Sequence, residues 1–176
     1  MNISVLRLGH RVYRDRRITT HCCLVARAFG AHNIFIEGDT DRSIVTSVEK
    51  VTNLWGGTFS VEFVPNWKKI IKEWTGLIVH LTQYGIAFQE AIDEIKSTKK
   101  DILIVVGGKK VPSEVYDLAT YNVSVYNQPH SEISALALLL DRLIGPIPSD
   151  HFLNPKLSIV PQKHGKKVIQ HNKEDI

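Results

Sequence analysis

Six short runs set the framework of this chain: 3–7 (ISVLR), 33–36 (NIFI), 59–64 (FSVEFV), 76–80 (GLIVH), 101–106 (DILIVV) and 121–125 (YNVSV). They are β-branched, nearly continuous in apolar character, and bounded by Gly, Asp or Asn. A strand with one wet face alternates apolar and polar residues. A continuous apolar run therefore indicates strands covered on both faces, as in a parallel sheet. Helical patterns fill the gaps between the runs, and this βαβα alternation predicts a doubly wound α/β fold.

The helices have readable ends. Thr19 or Thr20 is expected to cap a helix whose apolar positions Cys22, Val25, Ala26 and Phe29 recur at helical spacing, with Gly30 as its stop. A second helix over about 41–54 has Asp39 or Asp41 as cap and Gly56-Gly57 as its end. A third begins after Pro65, a fourth covers about 86–97, and a short one follows Pro112 with Ser113 as cap. The last, about 131–144 (SEISALALLLDRLI), has Ile133, Leu136, Ala137, Leu140 and Leu143 in one stripe, with Leu138, Leu139 and Ile144 on other faces. A helix apolar nearly all round must be buried nearly all round. In a chain of 176 residues a second subunit is the favoured cover, so a homodimer is expected.

After Gly145 the composition changes. Pro146, Pro148 and Pro155 break regular structure, and the stretch KLSIVPQ-KHG-KKVIQ reads as a basic hairpin or two short strands. The chain thus divides into an α/β domain over 1–145 and an extension over 146–176 with a frayed end.

Composition narrows the class. The chain is 43% hydrophobic and 23% charged, and no apolar run reaches the roughly 18–20 residues a membrane span needs. The start, MNISVLRLGHR, lacks the features of a signal peptide, so a cytoplasmic protein is expected. Cys22 and Cys23 are adjacent, which implies small core or interface side chains and no disulfide framework. Eight histidines fall in no HExxH pattern and the cysteines in no CxxC pattern, so no metal site is expected. Net charge is +4. Arg7, Arg11, Arg14, Arg16 and Arg17 crowd one end, while Lys156, Lys163, Lys166, Lys167 and Lys173 populate the other. That distribution suits either a polyanion footprint or a solvated basic surface.

Ligands of open parallel sheets bind beyond the carboxyl ends of the strands. Three segments follow strands and carry unusual loop chemistry: HLTQYG (80–85), VVGGKKVP (105–112) and VYNQPHSEIS (125–134). Gly107-Gly108 would let backbone turn sharply against a ligand, or simply make a tight connection. Neither GxxxxGK[ST] nor GxGxxG is present, which argues against an NTPase or a dehydrogenase. Asn127, Gln128, His130, Ser131 and Glu132 open a hydrophobic helix, lining a polar pocket or serving as ordinary capping. His130 beside Ser131 without a GxSxG elbow does not make a hydrolase.

Taken together, RxTTH, AFGA, HLTxYG, VVGGxKVP and NQPHSE are specific as a set, and across residues 4–145 the sequence closely resembles the archaeal tRNA cytidine-56 2′-O-methyltransferase family of the SPOUT class. The resemblance implies a parallel α/β domain with a C-terminal trefoil knot, acting as a dimer on tRNA and using S-adenosylmethionine (SAM). A catalytically inactive RNA-binding module of the same fold is the alternative. By motif, the cofactor pocket would comprise Leu81, then Gly107, Gly108, Lys109, Lys110 and Val111, then Tyr126, Asn127, Gln128, Pro129, His130, Ser131, Glu132 and Ile133. Tyr126 stands where relatives usually have glycine. Leu24 stands where the wider 2′-O-methylating branch has arginine. A catalytic arginine is therefore expected among Arg7, Arg11 and Arg17, with Arg27 a further candidate, and His130 or Glu132 as proton relay.

Overall fold

A computed structural model describes residues 1–108, 110–148 and 151–171. Its sheet is built from β1 (Ile3–His10), β2 (Asn33–Gly38), β3 (Ser60–Val64), β4 (Leu77–Ala87), β5 (Ile102–Gly107) and β6 (Tyr121–Ser124). They lie in the order β3-β2-β1-β5-β4-β6, every neighbouring pair parallel. Each expected run became a strand.

Helices α1 (Val12–Ala28), α2 (Arg42–Trp55), α3 (Trp67–Glu73), α4 (Phe88–Ser97), α5 (Ser113–Leu118) and α6 (Glu132–Ile144) cover both faces. Alternate residues of the central strands feed two cores. Ile3, Val5, Ile104 and Val106 join Cys22, Ala26, Leu136 and Leu140 on one face. Leu6, Leu8, Leu103 and Val105 join Trp67, Ile71 and Val115 on the other. This double coverage is why the strand sequences lack a polar alternate. Burial pushes the Cys22 thiol up to about 12 and raises that of Cys23 as well, so both are inert core side chains.

Three local expectations are corrected. Helix α1 starts at Val12, a full two turns before Thr19. Its first amides are satisfied by carboxylates: Arg11 N–H donates to Asp15 Oδ2 at 3.2 Å, and Val12 N–H donates to Asp39 Oδ2 at 3.2 Å from across the sheet edge. Thr19 is instead buried within the helix against His10 Nδ1 at 2.9 Å, and Thr20 Oγ1 turns back to the Arg16 carbonyl at 2.8 Å. Strand β4 does not stop at 80. Val123 of β6 faces both Leu81 and Ile86, so residues 82–85 bulge from a strand that then resumes. Pro112, not Ser113, occupies the N-cap of α5, and Ser113 makes no capping bond. Elsewhere the caps follow expectation, with Asp41 Oδ1 accepting from Ser43 N–H on α2 and Ser131 Oγ accepting from Ile133 N–H on α6.

Ala135, Leu136, Leu139, Leu140 and Leu143 of α6 are buried against α1, α4 and the sheet within one chain, leaving Leu138 exposed on its outer side. Beyond α6, β7 (Leu157–Val160) and β8 (Lys167–Gln170) form the antiparallel hairpin that the sequence suggested. The extension is tied to the domain through Gly57 N–H to the Leu153 carbonyl (2.8 Å) and Lys156 N–H to the Leu54 carbonyl (2.9 Å). Among the described residues, no helix is long and apolar enough to cross a membrane.

Candidate cofactor cleft and basic face

The bulged middle of β4 and the segments that follow β5 and β6 enclose a cleft of about 520 Å³, within the range of about 300–1,000 Å³ typical of small-molecule sites. Its walls are His80 and Leu81 of β4 with Thr82, Gln83 and Tyr84 of its bulge, Gly107, Gly108 and Val111 at and after the end of β5, Tyr116 of α5, and Val125, Pro129, His130, Glu132 and Ala135 after β6. The placement is the one open parallel sheets give their ligands.

The glycine pair shapes the wall. A Cβ on Gly107 would fall 2.3 Å from Val111 Cγ2, so no side chain fits without displacing Val111. At Gly108 a Cβ would meet only the Arg7 guanidinium, at 3.8 Å from Nη2. Bare backbone is therefore what these two positions present to a ligand.

Arg7 projects from the middle of the sheet and is 2% exposed. Its Nη1 donates to the Leu8 carbonyl at 2.8 Å, and its Nη2 donates to Glu132 Oε1 at 3.0 Å. The pair links β1 to the first turn of α6, 125 residues away, and the carboxylate also favours the positive end of that helix. On the other side, His80 Nδ1 lies 2.8 Å from Asn122 Oδ1, and its ring meets Tyr116 edge-on at 4.6 Å. Burial lowers the His80 pKa, with the Asn122 hydrogen bond opposing more weakly. Thr82 Oγ1 and Tyr116 Oη are 3.2 Å apart.

Of the residues expected at the pocket, Leu81, Gly107, Gly108, Val111, Pro129, His130 and Glu132 do line it. Others stand outside. Lys110 is exposed and Tyr126 is 71% exposed, beyond the cleft wall. Gln128 is exposed, Ser131 caps α6, and Ile133 packs half-buried on the core. Lys109 lies outside the described residues. Asn127 has a different job: its Nδ2 donates to the Gln83 and Gly85 carbonyls at 2.8 and 2.9 Å, fastening the bulge of β4 to the segment after β6. Sequence reasoning missed His80, Thr82, Gln83, Tyr84, Tyr116, Val125 and Ala135. The HLTQYG motif flagged four of them as a group; Tyr116, inside a short helix, carried no signal.

The three arginines separate. Only Arg7 is at the cleft. Arg11 is clamped by Asp15, Nε to Oδ2 at 2.8 Å and Nη2 to Oδ1 at 3.3 Å, a contact that holds the carboxyl below its usual range. Arg16 is engaged by Asp41 at 2.8 Å. Arg14 and Arg17 make no ion pair among the described residues, and with Tyr13, Thr20 and His21 they border a shallow groove of about 460 Å³ on the outside of α1. Arg27 sits elsewhere, donating to the Gly56 carbonyl at 2.6 Å beneath the C-terminal extension. Among the described residues, no three His, Cys, Asp or Glu side chains are grouped to hold a metal ion.

Similarity to known proteins matches this geometry. A family model described as tRNA ribose 2′-O-methyltransferase, aTrm56, matches residues 55–169. A tRNA (cytidine(56)-2′-O)-methyltransferase of Thermococcus kodakarensis is 59% identical over 96% of this chain and 97% of its own. The protein of the same description from Archaeoglobus fulgidus is 47% identical over 96% and 99%. Among solved structures, the SpoU methyltransferase AviRb of Streptomyces viridochromogenes, in complex with AdoMet, superposes with a TM-score of 0.60 at 16% identity, over 81% of this chain and 56% of its own. The TrmH/SpoU tRNA modifying enzyme of A. aeolicus gives 0.59 at 14% identity, over 81% and 73%. At such identities these two establish the fold.

Proposed function

The chain belongs to the tRNA ribose 2′-O-methyltransferase family, and from that premise we propose that it methylates the 2′-hydroxyl of cytidine-56 in tRNA, with SAM held in the cleft between β4, β5 and β6. The observation that carries the reading is the cleft itself. Two side-chain-free backbone positions, Gly107 and Gly108, and one ion-paired carboxylate, Glu132, border a space of the right size at the switch from strands to helices.

When bound, SAM supplies a sulfonium-activated methyl group that leaves behind a neutral thioether. What remains for the protein is to orient the ribose oxygen and accept one proton. His130 and Glu132 are the proton-accepting groups on the α6 side of the cleft. Arg7 positions Glu132: with 2% exposure it reaches no RNA, but it fixes the carboxylate at the cleft wall. Arg14 and Arg17 are free to hold phosphates, and Arg11, held by Asp15, is an oriented cation at the start of the same helix. A trefoil knot in the C-terminal half of the domain over 1–145 is part of this reading, supported by Asn127, which fastens the segment after β6 to the β4 bulge. Leu138 and Ile18, exposed on neighbouring helices α6 and α1, support a homodimer. The extension over 146–176, with its lysines, adds charge for tRNA, and a tRNA substrate supports a cytoplasmic location.

The test is to incubate the protein with unmodified tRNA and methyl-labelled SAM and map the mark. A single label on the ribose of cytidine-56 is expected; a label elsewhere, or none despite bound SAM, overturns the assignment. SAM should raise the melting temperature of the protein by mass action, and tRNA affinity should fall steeply with added salt as phosphate contacts release counterions.

A further inference from the structure

Among the side chains that line the cleft, one buried polar atom is left over. His80 is fully buried, yet its Nε2 has no hydrogen-bond partner among the described residues. The other ring nitrogen is spoken for. Asn122 donates through Nδ2 to the Tyr116 carbonyl at 2.8 Å, which fixes the amide so that Oδ1 faces His80 Nδ1, also at 2.8 Å. A reversed amide would set carbonyl oxygen against carbonyl oxygen. An acceptor at Oδ1 requires that Nδ1 carry the proton. In the neutral ring, Nε2 then holds a bare lone pair.

The neutral form is the one this environment selects. Burial lowers the imidazole pKa, and no charged group contributes to the shift. The ring cannot readily swing away, because Tyr116 packs edge-on against it and Tyr116 Oη is tied to Thr82. A fixed, buried acceptor without a donor costs free energy, and one at the wall of a cleft can be completed by a donor on the cleft's occupant.

We propose that His80 is a specificity-determining residue of the cofactor cleft: its Nε2 accepts a hydrogen bond from an N–H or O–H donor on the adenosine half of SAM. The inference rests on the SAM reading above and adds which part of the molecule is read at this wall. The adenosine half offers neutral donors, the 6-amino group of the base and the ribose hydroxyls. The cationic amino-acid half is matched instead to Glu132, the carboxylate among the residues that line the cleft. Asn122 and Tyr116 act through His80 as positioning residues, since they set its tautomer and its ring plane.

The experiment measures binding, not turnover. Dissociation constants of S-adenosylhomocysteine and of its 6-deamino, 2′-deoxy and 3′-deoxy analogues are determined by calorimetry for the wild type and for His80→Phe. One of these analogues should bind the wild type about tenfold or more weakly than the parent, the loss expected for an unmet buried hydrogen bond. That gap should vanish in His80→Phe, while the parent ligand itself weakens. A gap that persists in the variant, or the absence of any gap in the wild type, overturns the proposal. If His80→Phe does not fold, the imidazole ¹⁵N spectrum of the wild type decides: Nε2 should be unprotonated with and without ligand and shift on binding. A protonated Nε2 in either state overturns it. A wild type that binds none of these ligands would instead sink the SAM reading.

Discussion

Two arginines are buried in this protein at the same depth and to opposite ends. Arg7, 2% exposed, lies under the cofactor cleft and finishes on the Glu132 carboxylate. Arg27, 7% exposed, lies under the C-terminal extension and finishes on the Gly56 carbonyl, with the Phe152 ring 4.8 Å from its guanidinium carbon. The spaces beside them differ accordingly: about 520 Å³ at the cleft against about 90 Å³ at the seam, too little for a nucleoside. At the cleft the cation has a charged partner whose position matters to chemistry. At the seam it has only dipoles and a π face, and burial lowers its pKa without a carboxylate to oppose it. The difference teaches that a buried guanidinium is read by what it terminates on: Arg7 orders a carboxylate at the cleft wall, whereas Arg27 staples one segment to another.

Replacing each with methionine breaks the comparison most sharply. Arg7→Met leaves Glu132 without its partner. Stripping one member of a fully buried pair costs about 3–5 kcal/mol; because the Glu132 side chain is 26% exposed, a loss of about 2–3 kcal/mol is expected in urea unfolding, with methyl transfer reduced further than stability explains. Gly56→Ala comes next and acts on the seam alone. Gly56 has φ 80 and ψ −179, a region tolerated almost only by glycine at a cost of about 1–3 kcal/mol for other residues. A Cβ there would also sit 2.6 Å from the Leu153 carbonyl oxygen. The variant should release residues 151–171 to limited proteolysis while SAM affinity stays unchanged; altered affinity would join the two regions that this comparison separates. Arg27→Met is the mildest of the three. It removes a desolvated charge along with one hydrogen bond and a cation–π contact, and unfolding free energy should move by no more than about 1 kcal/mol. A loss equal to that of Arg7→Met would refute the distinction.

The two regions also differ in how much of each was legible in the sequence. Every strand could be read, because a doubly covered strand writes its burial as a continuous apolar run such as DILIVV. The loops that build the cleft were visible through their motifs, and Gly107, Gly108, Leu81 and Glu132 landed at its wall. What stayed hidden depends on long-range partners. The start of α1 is held in part by Asp39, 27 residues on, and its N-cap, Arg11, has no capping side chain to announce it. Arg7 reads as one basic residue among several until Glu132, 125 residues later, is seen to meet it. Asn127 looks like a pocket residue and proves to be a fastener, since its amide reaches carbonyls of the β4 bulge that the sequence treats as loop. Arg27 offers no signal at all: its partners are a carbonyl and a ring from an extension that composition marks only as irregular.

The last effect is read in the pH dependence of stability, and part of it falls on the cleft side. His80 and His10 are both held below the ordinary histidine value of 6.5, chiefly by burial. In the folded protein these rings stay neutral where the unfolded chain already takes up protons. Below about pH 6.5 the unfolded state therefore binds more protons, and stability falls as pH is lowered. The loss continues down to the lowered folded-state values and vanishes above about pH 7.5. Its slope is at most about 1.4 kcal/mol per pH unit for each ring. Urea midpoints at pH 7.5, 6.5 and 5.5 should decline in that order, and His80→Phe should decline less steeply because one of the two rings no longer titrates. Arg27→Met should leave the slope as it is, for a guanidinium carries its charge throughout this range. An unchanged slope in His80→Phe would mean that the ring beside the cleft takes up its proton as readily in the folded protein as in the unfolded chain, and a steeper decline would mean that it is already charged when folded; in either case the contrast between a neutral acceptor at one site and a fixed cation at the other would be lost.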